Sequence, residues 1–176
     1  ECVRLSQSRA VAGLCPTTEA NLGDGIFDGP RYLQHGGRFG VGSDSNVTLD
    51  PFEELRLFEY GQRLLLRRRN VLGSEENRSV GGALFRGAYR GGAQAAGERT
   101  FGIAVEARAD FIVLDADDAS LIEKSGDAIL DAAIFGPGRG LVRDVVCGGR
   151  FVVEAGQHPA AAAARAAYAA TLGRLR

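Results

Sequence analysis

The chain contains no methionine, not even at its first position. It begins Glu1-Cys2-Val3-Arg4, inside what reads as a helix, so the expectation is a piece of a longer protein. No apolar run is long enough to span a bilayer, and nothing at the start reads as a signal peptide. The three cysteines, Cys2, Cys15 and Cys147, lie far apart. They form no CxxC pair, and an odd count offers no disulfide framework, which points to a reducing cytoplasm. Cys15 and Cys147 are read as small core residues. An excess of either charge is also missing: 21 basic residues stand against 22 acidic ones, for a net charge of -1. That balance argues against nucleic-acid binding as the main task.

What is present is a chain of 176 residues, 45% of them hydrophobic. There is room for one ordinary domain, or for parts of two, and enough apolar surface for a real core. Residues 1–10 read as the end of an amphipathic helix, with Val3, Leu5 and Ala10 facing inward. Val11 to Cys15 is a brief apolar strand stopped by Pro16. Thr17 to Gly25 reads as a polar, glycine-punctuated loop of the kind that carries ligand contacts. A helix from Pro30 to His35 ends at Gly36-Gly37.

The stretch Arg38 to Leu55 is the most informative. Arg38-Phe39-Gly40-Val41-Gly42 suits a buried strand, and it ends at once in Ser43-Asp44-Ser45-Asn46. A lone carboxylate at the end of an apolar strand is expensive to bury unless it meets a metal, a donor or a cation. In a barrel of parallel strands, that end is where chemistry sits. Asp50-Pro51-Phe52-Glu53-Glu54 is a helix start, with Asp at the N-cap, Pro at N1 and acids in the first turn. Strand, polar tip and capped helix read as one βα unit with Asp44 at the catalytic face. The plainer alternative for Asp44 is an ordinary turn aspartate.

A long helix from Pro51 to about Arg69 carries Phe52, Leu55, Phe58, Glu59, Gln62 and Leu66 at helical spacing, widened by Leu57, Leu64 and Leu65. Arg67-Arg68-Arg69 is read as cations complementing the last turn, in preference to an anion patch. Ser74 to Ser79 reads as a charged loop and Val80 to Gln94 as a helix. After Thr100 the character changes. Asp110 to Asp115 is a strand bounded by acids, Ile129 to Phe135 a strand or short helix, and Val142 to Glu154 a hairpin turning at Gly148-Gly149. These spacings point to a small β-sandwich. Pro159 to Leu175 is a helix by propensity, and His158 at its start is read as non-functional.

These motifs together resemble the C-terminal half of the amidohydrolase superfamily. They are the Ser-Asp-Ser tip after a barrel strand, Ala-Arg-Ala-Asp-Phe-Ile-Val-Leu-Asp, and the Gly-Gly-Arg hairpin with Phe-Val-Val. Within that superfamily, Cys15 to Gly25, Arg38 to Asp44 and Phe52 to Arg56 resemble the formimidoylglutamate deiminases of histidine degradation. The resemblance implies an α/β fold, the last two strands and helices of a (β/α)8 metal-dependent hydrolase barrel. Part of a small β-sandwich and a C-terminal helix would follow. The expected division is 1–100, 101–158 and 159–176.

The resemblance further implies hydrolysis of N-formimidoyl-L-glutamate to N-formyl-L-glutamate and ammonia, with one zinc per subunit. Asp44 matches the family's strand-end aspartate, which is both a metal ligand and the acceptor of a proton from the attacking water. Thr18, Glu19 and Asn21 fall on the loop that faces the substrate. The complete enzyme is expected to be a cytoplasmic homodimer acting on a small molecule, with neither nucleic acid nor membrane as partner. The remaining ligands belong to earlier strands, since His35 and His158 do not sit where ligands are wanted. The chain alone is therefore expected to be inactive. The family has histidine after Ser-Asp-Ser where this chain has Asn46, which can still donate a hydrogen bond. Two alternatives stay open. One is another superfamily aminohydrolase, of the guanine deaminase or chlorohydrolase type. The other is a non-catalytic β-rich binding module, if the chain is complete.

Overall fold

The computed structural model describes residues 1–73, 78–136 and 140–175. The chain forms two compact units. The first comprises Glu1–Arg99 and Ala119–Gly138; the second comprises Thr100–Asp118 and Arg139–Arg176. The charged loop expected from Ser74 lies, over 74–77, outside the described residues.

The first unit is built on two parallel strands, β1 (Val11–Leu14) and β2 (Arg38–Val41), paired in register from Val11 with Arg38 to Leu14 with Val41. A parallel pair needs a crossover. Here α2 (Pro16–Leu22) and α3 (Gly29–Gln34) supply it, after a short opening helix α1 (Cys2–Gln7). In α1 only Ser6 is buried. Leu5 is exposed and Ala10 lies past the helix, so the inward face expected for residues 1–10 is not formed. Tyr32 of α3 is fully buried, and its hydroxyl lies 2.8 Å from the Arg38 carbonyl at the start of β2.

Residues 16–22 are a helix, where a loop was expected. Pro16 sits in its first turn, and Glu19 reaches back so that its Oε1 accepts from the Cys15 N–H at 2.8 Å. Gly23, with φ +76°, closes the helix in the left-handed conformation. These are a proline start, an acid over the free amides and a glycine stop.

After β2 comes α4 (Pro51–Leu66), capped by Asp50, whose side chain accepts from Phe52 N–H at 2.9 Å. Phe52, Leu55 and Phe58 face the core. Each such side chain is worth roughly 1.5–3 kcal/mol of burial. Leu64, Leu65 and Leu66 are exposed, so the expected widening of the apolar side stops short of the helix end. The helix ends at Arg67 in the left-handed region; Arg67 to Arg69 therefore follow the last turn, which Arg63 occupies.

Two further helices complete the unit. The first is α5 (Val80–Ala95), capped by Ser79, whose Oγ accepts from Gly82 N–H at 2.8 Å. It lies on β2 so closely that a Cβ on Gly91 would stand 1.9 Å from the Phe39 carbonyl oxygen. The other, α6 (Asp127–Phe135), settles the choice between strand and helix for this stretch. Its Asp127 pairs with both terminal nitrogens of Arg86 at 2.7 and 2.8 Å. Arg56 of α4 donates to the carbonyls of Ile134 and Gly136 at 2.5 and 3.0 Å, capping the end of α6. Those contacts, with Ile134 fully buried, explain why 119–138 belongs with the first unit and not with the β-rich stretch around it.

The second unit is a three-stranded antiparallel sheet of β3 (Phe111–Leu114), β4 (Val142–Cys147) and β5 (Arg150–Val153), in that order. One such sheet, among the described residues, stands for the expected sandwich. Gly148 and Gly149, with φ +56° and +76°, form the hairpin turn. A two-residue turn of this hand needs positive φ at both positions, hence Gly-Gly. Buried Asp144 accepts from Ala155 N–H at 2.8 Å and pairs with Arg143. Cys147 is exposed beside the turn and Cys15 is half-buried, so neither is the core residue expected. Helix α7 (Ala161–Arg174) buries no residue. Among the described residues no helix is long and apolar enough to cross a membrane.

Candidate active site at the ends of the parallel strands

The two parallel strands end side by side, and the loops beyond them meet. Gly42 N–H donates to the Leu14 carbonyl at 3.0 Å, extending the pairing by one residue. The chain then turns over Ser43–Asn46, closed by Asn46 N–H donating to the Ser43 carbonyl at 2.9 Å. Asp44 sits at the tip with φ +48°, a left-handed conformation that aspartate tolerates better than most residues. Its side chain is exposed, and among the described residues it accepts no hydrogen bond.

The turn is tied to the start of α2 from both ends. Thr18 Oγ1 donates to the Ser43 carbonyl at 2.7 Å. Asn46 Nδ2 donates to the Thr17 carbonyl at 3.2 Å, and Asn46 Oδ1 accepts from Thr48 N–H at 2.8 Å. Asn46 therefore donates across to the first turn of α2. Thr17 in turn donates twice to Glu54 of α4: its N–H to Oε2 at 2.9 Å and its hydroxyl to Oε1 at 2.5 Å.

The three residues expected on the substrate side are thus placed as follows. Thr18 is buried, with its hydroxyl committed to Ser43. Glu19 is half-buried, with its carboxylate committed to the Cys15 N–H. Asn21 is exposed on the outer turn of α2, and its side chain makes no hydrogen bond among the described residues. From the sequence Glu54 reads only as a first-turn acid of α4, and Thr17 only as one residue of a polar loop. The signal for Glu54 was its spacing: it shares the inner face of α4 with Leu55 and Phe58. A charged residue on an apolar face has to have a buried partner.

A hollow of about 230 Å³ opens beside the turn, lined by Gly42, Ser43, Leu49, Asp50 and Glu54. A larger one, about 330 Å³ and mostly apolar, lies on the outer side between α2 and α4. It involves neither Asp44 nor the strand ends, so its size does not make it the site. The Cys15 thiol is held above its ordinary pKa, chiefly by burial and then by the carboxylates of Asp44, Glu19 and Glu54. It stays protonated at neutral pH and is a poor nucleophile.

Among the described residues no three or more His, Cys, Asp or Glu side chains come together as a metal site. His35 lies before β2, at the opposite end from Asp44, and its Nδ1 stands 2.8 Å from the Arg31 carbonyl. The Nδ1 of His158 accepts from Ala160 N–H at 3.1 Å. A catalytic zinc takes about three protein ligands. Asp44 is exposed and accepts no hydrogen bond among the described residues, so its carboxylate is chemically able to serve as one such ligand, and the described residues do not gather a full set.

The amidohydrolase family model matches residues 2–152, so the chain belongs to the amidohydrolase family. It is 47% identical over 175 residues to a formimidoylglutamate deiminase from Pseudomonas aeruginosa, covering 99% of this chain and 39% of that protein. The crystal structure of an amidohydrolase from Brucella melitensis is 45% identical, with a TM-score of 0.91 over 99% of this chain and 38% of its own. An adenosine deaminase from Xanthomonas campestris with bound zinc shares the fold, at 23% identity and a TM-score of 0.79 over 96% of this chain and 38% of its own. The chain thus spans about two fifths of the relatives it matches.

Proposed function

We propose that this chain is the C-terminal part of a zinc enzyme that hydrolyses N-formimidoyl-L-glutamate to N-formyl-L-glutamate and ammonia. The observation that carries the reading is the 47% identity to a formimidoylglutamate deiminase, sustained over 99% of the chain. An exposed, uncommitted carboxylate at the end of a parallel strand is what such an enzyme needs from this part of its sequence. A homodimeric, cytoplasmic complete protein belongs to the same reading.

Zinc, when bound, supplies the Lewis acidity that brings a water's pKa toward neutrality. Asp44 has two duties in this scheme: it contributes one ligand oxygen and accepts a proton from the attacking water. The water oxygen forms a bond to the formimidoyl carbon. As it does so the C=N π pair moves to the terminal nitrogen, which takes the first water proton from Asp44. The proton of the new hydroxyl follows by the same carboxylate, and the carbon–nitrogen bond breaks to release ammonia as the formyl C=O forms. Asn21 faces solvent on the helix that follows β1 and is free to meet the substrate. Thr18 and Glu19 act one step back, holding the turn and the helix start.

The test is to express the protein that contains this sequence together with the remaining barrel strands. Ammonia release from N-formimidoyl-L-glutamate is then measured before and after removal of metal by a chelator. Release that is lost with the metal and restored by zinc supports the reading. A protein that turns over guanine, adenosine or a chloro-triazine but not the formimidoyl substrate belongs to the runner-up, another aminohydrolase on the same fold.

A further inference from the structure

We propose that Glu54 is a positioning residue for Asp44, acting through Thr17. The inference rests on the reading of Asp44 as zinc ligand and proton acceptor, and adds to it a residue of a different element.

Glu54 stands on the first turn of α4 and is 1% exposed. Among the described residues no cation pairs with it. Both of its oxygens are instead taken by one residue, Thr17, through the backbone N–H and the hydroxyl. The Thr17 N–H lies in the first turn of α2, where amides have no partner within the helix. A carboxylate only accepts, so it suits this donor pair.

The consequence runs outward from there. The carbonyl of the anchored Thr17 receives Asn46, and the hydroxyl of the adjacent Thr18 binds the Ser43 carbonyl. Ser43 and Asn46 are the two ends of the turn whose tip is Asp44. Asp44 itself makes no hydrogen bond that fixes it among the described residues, and its backbone is in the left-handed region. Its place is therefore set by the two tethers, and the tethers by Glu54. Misplacing a reacting group by about 1 Å can cost on the order of 10²-fold in rate.

The alternative is that Glu54 merely caps α2 and supports the fold. The two differ in what moves. In the complete, zinc-reconstituted protein, Glu54→Leu keeps the volume and removes both acceptors. Positioning predicts a fall in kcat of roughly tenfold to a hundredfold with KM little changed. It also predicts zinc held about tenfold more weakly in competition with a chromophoric chelator. Glu54→Gln recovers most of both losses, because its carbonyl can accept from the Thr17 N–H while its amide donates to a reversed Thr17 hydroxyl. Thr17→Val, which removes only the hydroxyl, shows a smaller loss of the same kind and serves if Glu54→Leu does not fold. Adding it to Glu54→Leu causes little further loss.

A folded Glu54→Leu protein with parental kcat and zinc affinity overturns the proposal. So does a Thr17→Val protein in which neither quantity moves. Asp44→Asn is measured alongside. If that variant, zinc-loaded, retains the parental rate, the site reading itself fails. If Asp44→Asn is impaired and the Glu54 and Thr17 variants are not, only the positioning role falls.

Discussion

Two adjacent glycines on α5 give opposite answers to the same substitution. In an exposed helix, glycine to alanine gains about 1 kcal/mol of helix propensity. At Gly92 nothing stands within 4 Å of the position a Cβ would take, so that gain is realised. At Gly91 the new carbon would meet the Phe39 carbonyl oxygen at 1.9 Å and its carbonyl carbon at 2.5 Å. That is short of ordinary contact by about 1.5 Å, and the obstacle is strand backbone, which cannot swing aside as a side chain does. Either α5 lifts off β2 or the β1–β2 pair is displaced. Overpacking costs about 1–3 kcal/mol, and a backbone obstacle belongs at the top of that range. Less the propensity gain, Gly91→Ala should destabilise by about 2 kcal/mol. Gly92→Ala should stabilise by roughly 0.5–1 kcal/mol. The assay is urea unfolding of the purified protein, parent and both variants in parallel, read as shifts in midpoint at constant slope. A Gly91→Ala variant as stable as the parent would refute the close approach of α5 to β2. So would equal losses at both positions.

Two further outcomes concern charges that the structure fixes. Glu59 is fully buried and accepts from the backbone N–H groups of Val71 and Leu72 and from Arg63. Glu59→Gln turns an amide group onto at least one of these donors and should cost about 1–3 kcal/mol, measured by the same urea titration. Asp127 and Asp144 titrate below the ordinary carboxylate value, Asp127 through Arg86 and Asp144 through the Ala155 N–H and then Arg143. A lowered folded pKa stabilises above the unfolded value, near about 3.9, and that stability is lost as pH falls through the folded value. Asp127→Asn and Asp144→Asn should therefore flatten the acid limb of a stability–pH curve below about pH 4. Neither should change its slope near neutrality.

Much of the fold could be read from local chemistry. Asp50-Pro51 followed by two acids announced α4, and the Gly148-Gly149 turn announced the hairpin. Asp44 stood out because an apolar strand ran straight into it. Helix α2 was missed although Pro16, Glu19 and Gly23 carried its start, its cap and its stop. The polar residues between them dominated the reading, and a seven-residue helix is too short for hydrophobic periodicity to show. Cys147 reads as interior by residue type, and Leu64 to Leu66 by residue type and helical spacing. Their positions, beside a turn and at the last turn of a helix, leave them exposed. The Glu54–Thr17 pair spans 37 residues, and no pattern within one segment reveals a partner at that separation.

The most direct test of the account is Asp44→Asn in the complete protein, at saturating zinc and with metal content measured. Asparagine keeps the shape and can still offer an oxygen to the metal, but it cannot take the proton. General-base catalysis is worth about 10²–10⁴-fold, so kcat should fall by that factor with zinc still bound. A zinc-loaded Asn variant that releases ammonia from N-formimidoyl-L-glutamate at close to the parental rate would contradict the central claim.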